Sequence, residues 1–232
     1  MTLRASLLTQ IQSSLLNLNR HYTNIAYASD LFEAFIFTII LDAAEREGAT
    51  TPINFEDTSE IRTSDILFRR SPGYINDSNP YTHAVLDFPI NGDNLELEAH
   101  IGVYAVGASG VPQECDIAVL LREEGQRCRR VSGTRTRKVV KSTNIVIGVE
   151  CKCYQSSKIA LGLGRSFLGL VQDLSSNGNY FFVFNGRKPS VEKILAHYKK
   201  GWEHNISPTS QKEIVRLRNV FQDRFKNLKA KF

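Results

Sequence analysis

The sequence predicts an α/β fold, a central mixed sheet flanked by helices, with extra helices at both ends. Three observations carry that expectation. Ser29–Glu47 is apolar almost all round (Leu31, Phe32, Phe35, Ile36, Phe37, Ile39, Ile40), as a buried helix is. Glu114–Leu121, Asn144–Tyr154 and Asn179–Phe184 are short apolar runs, the mark of strands in a sheet covered on both faces. A helical stretch, residues 159–174, stands between the last two.

Taken in order, residues 3–20 place Leu3, Leu7, Ile11, Leu15 and Leu18 at helical spacing. After the second helix, residues 49–80 are polar and turn-rich, with Pro52, Pro72, Gly73 and Pro80; Ile61–Phe68 can supply one short strand. Asn91-Gly92 marks a turn. Leu95–Val106 then alternates, with Leu95, Leu97, Ala99, Ile101 and Val103 on one face and Glu96, Glu98, His100, Gly102 and Tyr104 on the other. Glu98 and His100 either reach a site or are solvated on an edge strand. Residues 107–113 form a turn. Glu114–Leu121 sets Cys115, Ile117, Val119 and Leu121 against Glu114, Asp116, Ala118 and Leu120. Residues 122–142 read as a flexible basic connection that joins the two acidic strands and so is expected to emerge near the site. The helix at 159–174 offers Arg165 and Gln172 as candidate substrate contacts. Terminal helices are expected over 190–200 and 210–229.

With 232 residues, the chain fits one large domain or one domain with extensions. Its apolar content of 42% suffices for a core. No apolar run is long enough to span a membrane, and Met1–Asn19 lacks a signal-peptide pattern. Four cysteines do not make a disulfide framework, so a reducing cytoplasm is expected. The net charge of +5 is uneven: residues 122–141 carry +6 and 187–232 carry +8, leaving −9 elsewhere. Basic segments around an acidic centre suit a polyanionic partner and a metal site, or two solvated faces.

The stretch around which the chain is organised is Asn144–Tyr154. Alternation puts Ile145, Ile147, Val149, Cys151 and Cys153 on an apolar face, and Glu150 and Lys152 side by side on the other. Burying that pair is costly unless the two groups bind each other or a ligand. A carboxylate beside a lysine suits metal-assisted attack on a phosphodiester. Asp116 opens the preceding apolar strand, where catalytic side chains often sit. Asp116 and Glu150 offer hard oxygens, which favour Mg2+ or Mn2+ over zinc. Cys151-x-Cys153 could suggest zinc, but both thiols fall on the apolar face, where cysteine acts as a small hydrophobe. Glu33 has two readings: the end of a capping box begun by Asp30, or a carboxylate aimed from the core helix into the site.

In Val111-Pro-Gln-Glu-Cys-Asp116 followed by Val149-Glu-Cys-Lys152, the chain resembles the PD-(D/E)XK nuclease superfamily, the restriction-endonuclease-like fold. The resemblance covers about Ser29 to Asn185 and its α-β-β-β-α-β order. It implies a single nuclease domain over 1–232 with a core at about 29–185. It further implies that Asp116 and Glu150 bind Mg2+, that the Cys151 backbone carbonyl joins them, that Lys152 assists the attacking water and that Glu33 completes the site. Two features depart from the family pattern. Pro112 stands four residues before Asp116, with Glu114 as a rival acid, and Gln172 is followed at the family's Gln-x-x-x-Tyr spacing by Ser176.

The expected function is a Mg2+-dependent endonuclease acting on DNA, of restriction or defence type. Arg127, Arg129, Arg130, Arg135, Arg137 and Lys138 would grip the backbone. An RNA-cleaving effector of the same fold and a catalytically silent nucleic-acid-binding module are the alternatives. A homodimer or an activating partner protein would supply control.

Overall fold

The computed structural model describes residues 25–64, 66–69, 71–78, 80–90, 92–130, 138–153, 160–174 and 179–232. The helix expected over 3–20 lies outside them, as do Arg135 and Arg137. Helix α1 (Ile25–Arg46) carries the apolar run expected of it and ends at Gly48, whose φ of 95° suits a helix terminus. Then follow β1 (Asn54–Glu56), β2 (His83–Ile90), β3 (Asp93–Val106), β4 (Pro112–Leu121), α2 (Arg122–Arg129) and β5 (Val140–Lys141). After these come β6 (Ile145–Lys152), α3 (Leu161–Leu174), β7 (Tyr180–Phe184), α4 (Pro189–His197), β8 (Gly201–Glu203) and α5 (Gln211–Lys229).

The strands form one mixed eight-stranded sheet in the order β1-β2-β3-β4-β6-β7-β8, with β5 beside the end of β3. From β1 to β6 neighbours along that path run antiparallel; β7 and β8 continue parallel to β6. One face, with Leu97, Ala99, Val119, Ile147, Val149 and Phe181, packs on α1 (Phe35, Ile36, Ile40) and α5 (Leu217, Phe221, Phe225). The other, with Ala118, Leu120, Phe182 and Phe184, packs on Cys128 of α2, Phe167 and Val171 of α3, and Val191 and Leu195 of α4. Arg218–Asp42 at 3.2 Å ties α5 to α1.

Simple alternation fails at three places, and each failure shapes the molecule. Val103 and Cys115 belong to the second core cluster, not with Ile101 and Ile117 in the first. Ile101 pairs with Ile117 and Val103 with Cys115, so Gly102 stands opposite Asp116 at the switch. Gly102 has a φ of 63°, which a residue with a Cβ adopts only under strain. Ile145 also leaves the face of Ile147, because the β4–β6 register shifts between Val119 and Leu120 and Val146 is the extra residue.

Beyond the Gly102 switch, the β3–β4 hairpin crosses the second face. Its tip is clasped to the last turn of α3. Ala108 N–H donates to the Asp173 carbonyl at 3.0 Å, and Ser109 donates through its amide and hydroxyl to the Asp173 carboxylate at 2.7 and 2.8 Å. A Cβ on Gly107 would collide with the Asp173 carbonyl.

Several elements differ from the sequence expectations. Among the described residues of 61–68 there is no strand; Arg62 makes an isolated bridge to Glu56. Strand β2 (His83–Ile90) is an addition to the expected strands, and Pro89, which interrupts its ladder donors, hides it from the sequence. The expected flexible connection at 122–142 is in part ordered, as α2, β5 and a 3-10 turn at Ser142–Asn144. Helix α4 stops at His197, short of the helix end expected at 200, and β8 follows at Gly201–Glu203, between the two expected helices.

Candidate active site

β4 and β6 stay paired only as far as Ile117 and Val149. Past that point the hairpin departs, and the Cys151 amide loses its strand partner. The Asp116 carboxylate takes its place and accepts the Cys151 N–H at 2.7 Å. Lys152 Nζ lies 3.4 Å from Asp116 Oδ2 and 2.6 Å from Glu150 Oε1, bridging the two acids. Asp116 keeps only 6% of its side-chain surface and Glu150 18%, whereas Lys152 keeps 25%. The group is therefore buried at its base and open at its tip.

Glu33 joins this cluster from α1. The helix already runs from Ile25, so Asp30 lies inside it and the capping-box reading of Glu33 falls away. Burial, then the charges of Asp116, Asp30 and Glu114, push the Glu33 carboxyl up to about 9, with Lys152 pulling the other way. Burial and Asp116 raise Glu150 to about 7 against the pull of Lys152. Burial also raises Asp116, although Lys152 and the Cys151 amide oppose it. Glu114 is raised by burial and by Asp116. Burial works against the ammonium of Lys152, but Asp116 and Glu150 outweigh it and hold its pKa above the ordinary lysine value.

Four carboxyl groups (Glu33, Glu114, Asp116 and Glu150), each raised first by burial, thus gather about one lysine, a local shortage of positive charge. That shortage and the hard-oxygen donors fit a divalent cation such as Mg2+ or Mn2+. A strand residue turns its N–H and C=O to the same neighbour, so the Cys151 carbonyl faces the Asp116 side with its amide. As the side chains stand, Lys152 fills the gap, and among the described residues no three His, Cys, Asp or Glu groups are arranged to hold a metal. Lys152 has to turn off Asp116 before a cation can be shared by Asp116 and Glu150.

The basic segment is placed differently from its expectation. It leaves β4 at Leu121 and enters β6 through Ile145, five residues from Asp116 and from Glu150, roughly 16 Å along a strand. It therefore does not emerge beside the acids. Arg127 is bound to Glu124 at 2.6 and 2.8 Å and to the Val139 carbonyl at 2.7 Å. Arg129, with 6% of its side chain exposed, makes a two-point contact with Glu98 and reaches Glu60 at 2.8 Å. Arg130 remains exposed, and Lys138 donates to its carbonyl at 2.7 Å.

Glu98 and His100 are neither solvated nor in the acid cluster. α2 lies over them; a Cβ on Gly125 would strike the Glu98 carboxylate. His100 Nε2 is 3.0 Å from Glu98, its Nδ1 is 3.2 Å from Tyr81 Oη, and His83 stacks on His100 at 4.8 Å. Arg122 reaches Glu56 at 3.0 Å and Glu98 at 3.7 Å. In the sequence Asp30 reads only as the start of a capping box and Glu114 only as a rival acid; the signal for Glu114 is its place two residues before Asp116.

No family model, curated protein or solved structure matches the chain. No helix among the described residues is long and apolar enough to cross a membrane.

Proposed function

We propose that the chain is a Mg2+-dependent endonuclease hydrolysing phosphodiester bonds in DNA, with a restriction-endonuclease-like core. One observation carries the reading. Asp116, Glu150 and Lys152, from strands that part company at this point, meet within 3.4 Å, and Glu33 faces them from α1. The order α1, three antiparallel strands β3, β4 and β6, then α3 and the parallel β7, is compatible with that core.

A divalent ion held by Asp116, Glu150 and the Cys151 carbonyl would supply Lewis-acid stabilisation of charge on a phosphoryl oxygen. The remaining chemistry belongs to the chain. Lys152, released from Asp116, positions the attacking water and offsets charge building on the phosphate. Asp116 stays fixed by the Cys151 amide. Glu33, whose carboxyl is favoured neutral, can hold a proton beside the site.

The test is cleavage of plasmid DNA and of structured RNA, with Mg2+ and with chelator, beside Lys152→Ala. Mg2+-dependent cutting of DNA, lost in the variant, is the expected result. Cutting of RNA alone moves the reading to an RNA effector. Binding of either polymer without cutting moves it to a binding module.

A further inference from the structure

Arg127 and Arg129, two of the arginines expected to hold nucleic acid, are engaged with Glu124 and Glu98. Releasing Arg129 to a phosphate would strip buried Glu98 of its two-point partner. Neither is free to take a phosphate, and the rim beside the acids offers another place for the polyanion. β6, β7 and β8 run parallel, so all three end on the rim where Glu150 and Lys152 stand. Ligands of open α/β sheets collect beyond the carboxyl ends of such strands.

The Asn185 N–H donates to the Lys152 carbonyl at 3.3 Å, so the chain leaving β7 begins at the acid cluster. Gly186, Arg187 and Lys188 follow before α4 opens. A Cβ on Gly164 would lie 3.1 Å from Val191, which sets the start of α3 beside the start of α4 and brings Arg165 to the same rim. Arg165 and Arg187 are exposed, and Lys188 is half-buried. Arg187 has one contact, to Glu192 at 3.3 Å, with 63% of its side chain in solvent. Arg165 and Lys188 pair with no described side chain.

The rim is divided. Toward α1 and β4 it carries Asp30, Glu33, Glu114, Asp116 and Glu150; toward β7, α3 and α4 it carries Arg165, Arg187 and Lys188. A nucleic-acid strand matches that division when its reacting phosphate lies over the acids and its neighbours over the cations. We propose that Arg165, Arg187 and Lys188 form the surface that binds the phosphate backbone of duplex DNA beside the acid cluster. This rests on the nuclease reading for the identity of the polyanion.

The experiment is fluorescence anisotropy with a short labelled DNA duplex in chelator, across roughly 50–200 mM salt, on wild type, Arg165→Ala/Arg187→Ala/Lys188→Ala and Arg130→Ala/Lys138→Ala. The rim variant is expected to lose at least about tenfold in affinity. Its log–log salt slope should fall by about two to three, near 0.9 per phosphate contact. The Arg130/Lys138 variant should bind as wild type does. Equal affinity and slope in the rim variant, loss in the other variant instead, or binding to RNA duplex alone each overturns the proposal. Cleavage is scored separately with Mg2+. Rim-dependent binding without cutting refutes the nuclease reading and leaves the surface standing. Cutting with rim-independent binding does the reverse.

Discussion

Two regions of this protein bury carboxylates beside cations, and they solve the problem in opposite ways. Under α2, Glu98 is enclosed by His100, His83, Arg129 and Arg122. Burial alone would raise its pKa, but hydrogen bonds from His100 and Arg129 hold it at about 2. At the strand ends, Glu33, Glu114, Asp116 and Glu150 crowd around Lys152, and Glu150 and Glu33 rise to about 7 and 9. The first network balances Glu98 with cations and hydrogen bonds and is shut from water, although both His83 nitrogens and Arg122 Nη1 lack a hydrogen-bond partner. The second is short of cations and open at the tip. Charge balance and access, not residue type, separate a cluster that holds the fold from one that is fitted to a ligand.

The comparison can be broken most sharply at Asp116. Asp116→Asn keeps the shape and the Cys151 contact but removes a charge; with cleavage established, its rate should drop by about a thousandfold, near 4 kcal/mol. A variant that cuts normally would end the assignment of Asp116.

Next in size is Arg129→Met, which strands Glu98 in a dry site. It should lower unfolding free energy by about 3–5 kcal/mol, read from urea midpoints. A loss below about 1 kcal/mol would mean that the network is surface-like.

Glu150→Gln should go the other way and stabilise the metal-free protein by roughly 1 kcal/mol at pH 8, because it relieves crowding among acids. Destabilisation would show that Lys152 already balances the cluster.

The smallest effect is in the pH profile. Carboxyls with raised folded pKa values favour the fold below their unfolded value and lose that advantage as pH rises, here between about 4.5 and 7 for Glu150. Wild type should weaken over that window relative to Glu150→Gln. His83 acts in the opposite sense. Burial and then His100 depress it to about 2, so its contribution is present above about 6.5 and fades on acidification. A flat difference between wild type and Glu150→Gln would remove the strain attributed to the acids.

Much of this was legible in the residues. The period of two in Ile145–Lys152 set Glu150 and Lys152 on one face, and the apolar run after Asp116 marked that residue, although β4 begins at Pro112 and Asp116 lies inside the strand rather than opening it. Glu33 stayed ambiguous because capping depends on where α1 begins, and its start precedes Asp30. Arg129 was misread because nothing in its neighbourhood along the chain reveals Glu98, whose sequence separation from it is 31. The face switch at Gly102 was equally hidden, since a glycine in an alternating strand does not announce a positive φ.

The clasp at the hairpin tip gives the site a mechanical character. Strand segment 112–116 is tied at its base by the Asp116–Cys151 bond and at its tip by Asp173, so it behaves as a strut fixed at both ends. The most buried acid of the cluster then inherits its position from a serine and an aspartate at the far end of α3. Displacing a reacting group by about 1 Å can cost a hundredfold in rate. Loosening Asp173 would thus act on the chemistry at a distance, as a slackened guy-rope acts on a mast.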